Sequence, residues 1–289
     1  MAARVQVVIV NWNGEEYLAD CLRAVAAQDH AGPLDVLVVD NGSTDGSLDL
    51  LRRDFPGVEV VRSPRNNYAA ANNLGVARGR GPFALLLNPD CEISIQAVQQ
   101  LLRTAAQWPD AAMVAPQLLQ ANGQPEVNYR WPSLLWKSVG PAVTEGPACV
   151  GFVCGAAMLL RMNAFDGQFF DEQFFLYYED DDLCTRLFKQ RQAMLIDPAA
   201  TAIHRSRGSV RGRSPLRSEY IRGYHHAQSK LTYAAKHVNA ASARRLRIRL
   251  LWQTLLALPL RLALFSPKLI TRMWGRCIGV SRWSNKGPQ

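Results

Sequence analysis

Phe83-Ala84-Leu85-Leu86-Leu87-Asn88-Pro89-Asp90-Cys91-Glu92 decides the fold. Five consecutive apolar residues that stop at an Asn-Pro turn signal read as a short strand buried on both faces, the kind found inside a parallel sheet. Asp90 and Glu92 stand two apart just past the last buried residue, so an extended chain points them to one side, at the carboxyl edge of the sheet. Open α/β sheets bind their ligands at that edge. Carboxylates there suit Mg²⁺ or Mn²⁺, hard ions that bridge one or two acids to a substrate diphosphate. The competing reading makes Asp90 the N-cap of a helix over Ile93 to Leu102.

Upstream, the same grammar repeats. Val5 to Val10 is β-branched and breaks at Asn11-Trp12-Asn13-Gly14; Glu15 to Gln28 carries Leu18, Cys21, Leu22 and Val25 at helical spacing. Asp35 to Val39 predicts a second buried strand ending in Asp40-Asn41-Gly42-Ser43-Thr44-Asp45-Gly46. A helix over Ser47 to Phe55 and a strand over Val58 to Val61 complete β-α-β-α-β, which calls for a parallel sheet with helices on its faces. Gly42 and Gly46 allow tight turns, and Asp45 is a candidate helix cap. Asp40, at a strand end, is aimed at a base or ribose edge. No G-x-G-x-x-G follows either early strand, so a dinucleotide site is excluded. Arg65 to Ala77 is an asparagine-rich, small-residue helix start, read either as an ordinary capped helix or as a close-packed wall whose amides satisfy the polar groups of a nucleotide.

Downstream, a helix near Ile95 to Gln107 and a strand over Ala111 to Leu119 precede an irregular stretch, 120 to 149, holding Tyr129, Trp131 and Trp136. Such a loop is either a lid or acceptor wall or an exposed insertion. Val150 to Arg161 gives a small-residue turn and a strand. Four aromatics and a Leu, Phe174 to Tyr178, precede Glu179-Asp180-Asp181-Asp182. Acids suit the first turn of a helix whose face carries Leu183, Leu187 and Phe188, with Asp182 and Arg186 spaced as an i,i+4 pair. The apolar setting of Glu179-Asp180 is also one that raises a carboxylate pKa and presents one acid to an acceptor hydroxyl. A last strand over Ala193 to Ile196 leads to His204. Arg205, Arg207, Arg211 and Arg213 follow, cations suited to a diphosphate.

Charge divides the chain. Residues 201 to 289 hold 18 Lys/Arg and one acid, Glu219, whereas residues 1 to 200 hold 15 Lys/Arg and 23 acids. The expected domains are therefore 1–214 and a basic helical extension, 215–289, with helices over Ser218 to Val238 and Ala240 to Leu264. Arg and Lys interleaved with Leu and Trp suit either an anionic membrane surface, with the helix lying in the interface, or a cap docked on the core. Nucleic acid is disfavoured because long Leu runs do not stack bases. Six cysteines without metal or C-x-x-C spacing suit a reduced, cytoplasmic compartment. The N-terminus carries no leader pattern, and no apolar run reaches the roughly 18 residues of a spanning helix.

Taken together, Asn11-Trp12-Asn13, Val39-Asp40-Asn41-Gly42-Ser43-Thr44-Asp45-Gly46, Ala71-Asn72-Asn73-Leu74-Gly75 and Leu87-Asn88-Pro89-Asp90 resemble, in order and spacing, glycosyltransferase family 2, and within it the rhamnosyltransferase-like branch. The likeness covers roughly residues 5 to 210. It implies an α/β GT-A fold, a Rossmann-like, mostly parallel sheet flanked by helices, and an inverting, metal-dependent hexosyltransferase. By that resemblance Asn11, Asn13, Asp40, Asn41, Asn67, Asn73, Asn88 and Arg207 bind the nucleotide sugar, a dTDP- or UDP-sugar, with dTDP-L-rhamnose the first choice. Asp90 and His204 hold Mg²⁺ or Mn²⁺. Asp180, in the motif that supplies the family's base, is catalytic with Glu179 in support; Gly155, Ala156 and Tyr178 line the acceptor site. The implied acceptor is a glycan or polyprenyl-diphosphate-linked saccharide in bacterial surface-polysaccharide or O-antigen assembly, at the cytoplasmic face of the plasma membrane. The convergence of Asp40, Asp90 and Asp180 on one cavity is part of the same expectation. Two departures stand out: Asn88 occupies the first position of the D-x-D element, and Asn67 occupies a position where the family has glycine, which asks whether the backbone there is left-handed. The rivals are a non-catalytic carbohydrate-binding scaffold on the same fold and a sugar nucleotidyltransferase, although the latter requires an early Gly-rich loop with a cation, and none is present.

Overall fold

The computed structural model describes residues 3–127, 129–130, 143–167, 169–205 and 214–284. Contacts divide the chain into two compact units, Met1–Phe170 with Leu183–Ser209, and Asp171–Asp182 with Val210–Gln289. The expected boundary at residue 214 therefore lies four residues beyond the start of the second unit's main segment, and the segment preceding the acidic helix groups with the C-terminal helices.

The first unit opens with β1 (Val5–Asn11), α1 (Glu15–Ala26), β2 (Leu34–Asp40), α2 (Ser47–Asp54), β3 (Glu59–Arg62), α3 (Tyr68–Val76) and β4 (Phe83–Leu87). Strand β1 pairs in parallel with β2 on one side and β4 on the other. All seven of its residues are buried. Val5, Val7 and Ile9 enter one core with α1, while Val8 and Val10 enter a second with α3, the period-two alternation of a strand covered on both faces. Helix α3 reaches the sheet closely because it is built from small residues: a Cβ on Gly75 would sit 2.3 Å from Val8 Cγ1. Its N-cap, Asn67, accepts from Ala70 N with an extended backbone, φ −148°, so the replacement of glycine there costs no left-handed strain.

After β4 the structure departs from one of the two sequence readings. Cys91–Ile93 is a strand, β5, antiparallel to the end of the sheet's longest strand, and the next helix, α4 (Ala97–Gln107), begins only at Ala97. Asp90 therefore caps no helix. Then come β6 (Ala111–Leu119), β7 (Tyr129–Arg130), β8 (Ala148–Val150), β9 (Phe152–Val153), β10 (Ala157–Arg161), α5 (Glu179–Lys189) and β11 (Ala193–His204). Phe188 does not share the packed face of α5 with Leu183 and Leu187; it is exposed. The main sheet runs β3-β2-β1-β4-β10-β6-β11-β5, with β8 also paired to β11. Strand β11 extends eight residues past the expected Ile196, through an irregularity between Asp197 and Thr201, and carries His204 as its last residue. Trp131, Trp136, Arg207, Arg211 and Arg213 lie outside the described residues.

The second unit contains α6 (Pro215–His237), α7 (Ala240–Ala263) and α8 (Pro267–Arg282). Ser214 and Asn239 cap α6 and α7 through their side chains. Leu231, Ala243, Leu250 and Val280 form the buried centre. Helices α6 and α8 meet backbone to backbone: a Cβ on Gly223 would lie 2.0 Å from Arg272 O, one on Gly275 2.1 Å from Tyr220 O, and one on Gly279 2.4 Å from Tyr224 O. Pro259 lies inside α7 without ending it. Beyond Leu250 and Thr254, α7 exposes Trp252, Leu255, Leu256, Leu260 and Leu262, and Leu264 and Phe265 continue the apolar surface into the turn. No helix among the described residues is long and apolar enough to cross a membrane. Because the atom met at Gly223 is backbone, Gly223→Ala is expected to destabilise the helical unit by roughly 1–3 kcal/mol, an overpacking cost, seen as a lowered urea midpoint with unchanged far-UV circular dichroism.

Candidate active site

The carboxyl edge of the parallel strands collects the polar residues of the first unit. Asn11 and Asp40 are register partners at the ends of β1 and β2, and β4 ends two residues short of them, opposite Ile9. Both are buried. Ser43, in the loop after β2, ties the edge together: its hydroxyl accepts from Asn13 N at 3.0 Å and meets Asn11 Nδ2 at 3.1 Å, while its amide donates to Asp40 Oδ1 at 3.2 Å. Asn13, with φ 52°, accepts from Thr44 N at 2.7 Å. The two loops also cap each other's helices. Asp45 accepts from Glu15 N at 3.0 Å, and the Glu15 carboxylate accepts from Gly46 N at 2.9 Å. Asp45 thus serves the start of α1 as well as Ser47 N, 3.1 Å away, at the start of α2.

Asn41 carries the edge to α3, donating to Asn66 Oδ1 at 3.0 Å and accepting from Asn67 N at 3.1 Å. Asn73 stands apart from this cluster. Its amide donates to Phe170 O and accepts from Phe170 N, both at 2.9 Å, a two-bond clamp that commits the side chain to the backbone. The Asn73 side chain thus ties α3 to the Phe170 backbone. Asn11 Oδ1, in contrast, is buried without a hydrogen-bond partner among the described residues. A buried acceptor in that condition costs on the order of 1–3 kcal/mol unless a donor arrives.

Past β4, Asn88 is fixed on three sides. Its amide donates to Ala156 O at 2.8 Å, its carbonyl accepts from Cys91 N at 3.1 Å, and its side-chain oxygen accepts from the Tyr68 hydroxyl at 2.7 Å. Tyr68 also reaches Gly155 O at 3.4 Å, so Gly155 and Ala156 lie beside Asn88 at the start of β10. Sequence reasoning passed over Tyr68; its only signal was an aromatic directly after the Asn67 cap.

Asp90 and His204 come together through strand pairing. His204 is the register partner of Cys91, and Arg205 N donates to Asp90 O at 2.9 Å. The Asp90 carboxylate, 1% exposed, lies 3.7 Å from His204 Nε2, and His204 Nδ1 lies 3.7 Å from Glu126 Oε2. Asp90, Cys91 and His204 offer ligand atoms within 4.8 Å of one another. Two ligands each about 2.1 Å from one octahedral ion lie roughly 3 to 4 Å apart, so the carboxylate and imidazole fit a shared divalent cation. Burial, then the Asp90 charge, pushes the Cys91 thiol well above its ordinary pKa, which favours oxygen and nitrogen over sulfur as donors. Glu92 is engaged with Arg205 at 2.7 Å, so the two acids of the opening decapeptide part company: one faces the imidazole, the other an exposed guanidinium.

Tyr178, Glu179 and Asp180 belong to the second unit. Tyr177 and Tyr178 have φ of 68° and 67°, a conformation that non-glycine residues seldom adopt. Glu179 is buried, its Oε2 without a hydrogen-bond partner among the described residues. Desolvation first, then the neighbouring Asp180 charge, raises its pKa well above the ordinary carboxylate value.

The sequence matches the glycosyl transferase family 2 over residues 6–169. Its relatives include the N-acetylglucosaminyl-diphospho-decaprenol L-rhamnosyltransferase of Mycobacterium tuberculosis, 28% identical over 238 residues that span 71% of this chain and 76% of that protein. The low-salt glycan biosynthesis hexosyltransferase Agl10 of Haloferax volcanii is 25% identical over 216 residues, 69% of this chain and 66% of that one. Among solved structures, GalNAc-T7 with UDP, GalNAc and Mn²⁺ superposes with a TM-score of 0.58 at 16% identity, over 82% of this chain and only half, 50%, of that chain. Residues 1–349 of S. aureus TarS in complex with UDP superpose with a TM-score of 0.52 at 18% identity, over 79% and 65% of the respective chains. These likenesses carry the GT-A fold.

The buried Glu179 gives a stability test. An acid whose folded pKa is raised leaves stability intact below its unfolded pKa and removes it as pH rises through the folded one. Glu179→Gln is expected to match the parent near pH 4 and to exceed it increasingly above about pH 5, as followed by thermal unfolding from about pH 4 to 8. With the polar sheet edge and the matched sequence span in hand, the chain is a member of glycosyl transferase family 2, a hexosyltransferase of GT-A fold.

Proposed function

We propose that this glycosyltransferase moves L-rhamnose, from dTDP-L-rhamnose, to a hydroxyl of a polyprenyl-diphosphate-linked saccharide with inversion at the anomeric carbon. The observation that carries the reading is the clustering of buried Asn11 and Asp40 at the carboxyl sheet edge that also leads, through β4, to the Asp90–His204 pair. The choice of sugar and lipid rests on the name of the mycobacterial relative, an L-rhamnosyltransferase acting on N-acetylglucosaminyl-diphospho-decaprenol.

Asp40 is an acceptor-only carboxylate and takes the imide N–H of a thymine or uracil ring; Asn11 Oδ1 takes a second donor of the nucleoside. Asp90 and His204 hold Mg²⁺ or Mn²⁺, which when bound neutralises charge building on the departing diphosphate. The Tyr68 hydroxyl holds the Asn88 side-chain oxygen and also reaches Gly155 O, beside the proposed acceptor floor of Gly155 and Ala156. Asp180 takes the proton of the acceptor hydroxyl as that oxygen bonds to the anomeric carbon and the bond to diphosphate oxygen breaks; attack opposite the leaving group inverts the centre. Glu179, whose pKa burial raises, stands beside Asp180 in the first turn of α5.

The helical unit supports a peripheral site of action on the cytoplasmic face of the plasma membrane. Leu256 and Phe265 are 76% and 89% exposed, Trp252 and Trp274 are also exposed, and Arg261 and Lys268 lie along the same helices. Leu and indole side chains enter the acyl boundary while the cations pair with anionic headgroups.

Two experiments test the reading. With purified protein and Mg²⁺ or Mn²⁺, release of dTDP from dTDP-L-rhamnose is expected, lost with EDTA and reduced about 10²-fold or more in Asp180→Asn with donor binding retained; turnover of UDP- or GDP-sugars in its place rejects the donor. Leu256→Asp combined with Phe265→Asp should leave turnover on a soluble acceptor intact and abolish co-sedimentation with phosphatidylglycerol vesicles, and unchanged sedimentation rejects the membrane contact.

A further inference from the structure

Helix α6 carries a stripe that the proposed chemistry has not used. His225, His226, Ser229, Tyr233, Lys236 and His237 recur at spacings of three and four, so they share one face of the helix. Every one of them touches the segment Asp171–Asp182. The His225 ring stacks on Phe175 at 4.2 Å, and His226 meets the edges of Tyr177 and Tyr178 at 5.8 and 5.4 Å. Ser229 Oγ donates to Leu176 O at 2.9 Å, and Tyr233 packs on Tyr178 at 5.4 Å. Lys236 Nζ reaches Asp171 at 2.5 Å and Asp182 at 2.7 Å, and His237 Nε2 lies 2.7 Å from the same fully buried Asp182 oxygen.

We infer that α6 is the positioning element for the base loop: Lys236 and His237, through Asp182, together with Ser229 and the aromatic contacts at Tyr177 and Tyr178, set where Asp180 stands. The inference rests on the reading of Asp180 as base and adds the residues that hold it. The physical ground is strain. Two successive tyrosines in the left-handed region persist only where the surroundings over-determine them. Here the surroundings are one helix face, anchored above the strained pair at Leu176 and below it at Asp182. Burial lowers the His225 and His226 pKa values to about 4, so at neutral pH both rings are uncharged and serve as aromatic walls. The charged contact is left to Lys236, at the end of α6 where the helix dipole favours cations and where the paired acid opens the dipole of α5, while His237 reaches the same Asp182 oxygen beside it.

A misplacement of about 1 Å in a reacting group costs on the order of 10²-fold in turnover without weakening substrate binding. Lys236→Ala and His237→Ala are therefore expected to lower kcat by about 10- to 100-fold with the KM for the nucleotide sugar unchanged, and Lys236→Arg to restore most of the loss. Ser229→Ala, which deletes a single hydroxyl, is the mild variant if the lysine variant does not fold; the same split with a smaller fall in kcat is expected. Wild-type kcat in folded Lys236→Ala or, failing that, in Ser229→Ala overturns the inference, as does an equal loss of donor affinity. Asp180→Asn is measured alongside. Retained turnover in that variant overturns the base assignment itself, whereas its loss beside fully active α6 variants overturns only the role of α6.

Discussion

The parallel register of β1 with its two neighbours is the constraint on which the first unit depends. Because side chains alternate across a strand, a slip of one residue between β1 and β2 would send Val8 and Val10 into the core that Val7 and Ile9 fill, and would turn Asn11 and Asp40 away from each other. The register is held by packing on both faces at once, with α1 on one side and small-residue α3 on the other. The polar edge is then a consequence of where the apolar runs stop. Asn11, Asp40 and Asn88 follow the last apolar residues of β1, β2 and β4, and the loops after the first two are laced by Ser43, Asn13 and the reciprocal Glu15 and Asp45 caps.

A second constraint operates farther along the sheet. Asp90 acquires an imidazole partner because β5 runs antiparallel to the end of β11, which sets His204 opposite Cys91. More than a hundred residues of sequence separate the two, and the pairing depends on the irregularity between Asp197 and Thr201 that re-aims the last third of β11. The carboxylate is buried against a ring and beside thiols whose pKa burial raises, which leaves oxygen and nitrogen as the donors this corner offers a divalent cation.

The helical unit follows a different logic. Its helices approach through glycines, which lets α6 and α8 meet with carbonyls where side chains would stand. One face of α6 is spent on the acidic segment, and much of α7 beyond Leu250 is left apolar and exposed. An exposed apolar surface of this kind is the part of the helical unit to which the proposed membrane contact belongs.

The sequence determined the alternation of strands and helices, the strand ends and the acids beyond them, since buried runs, turn signals and caps are local and each is legible within about ten residues. It also carried the family, because four short polar motifs stand at strand and helix ends in a fixed order. Local pattern left two readings open past Leu87, an extended chain and a helix over Ile93 to Leu102, and a long-range pairing decided between them: Cys91 to Ile93 is a strand because β11 supplies its partner. The tertiary structure alone decided that Asn73 is a clamp on Phe170, that Tyr68 steadies Asn88, and that the acidic segment is gripped by α6. Each of these joins residues remote in the chain or turns on which way a side chain faces, and neither property has a local signature, for hydrogen bonds and ion pairs between distant segments form only once the backbone has folded to bring them within about 3 Å.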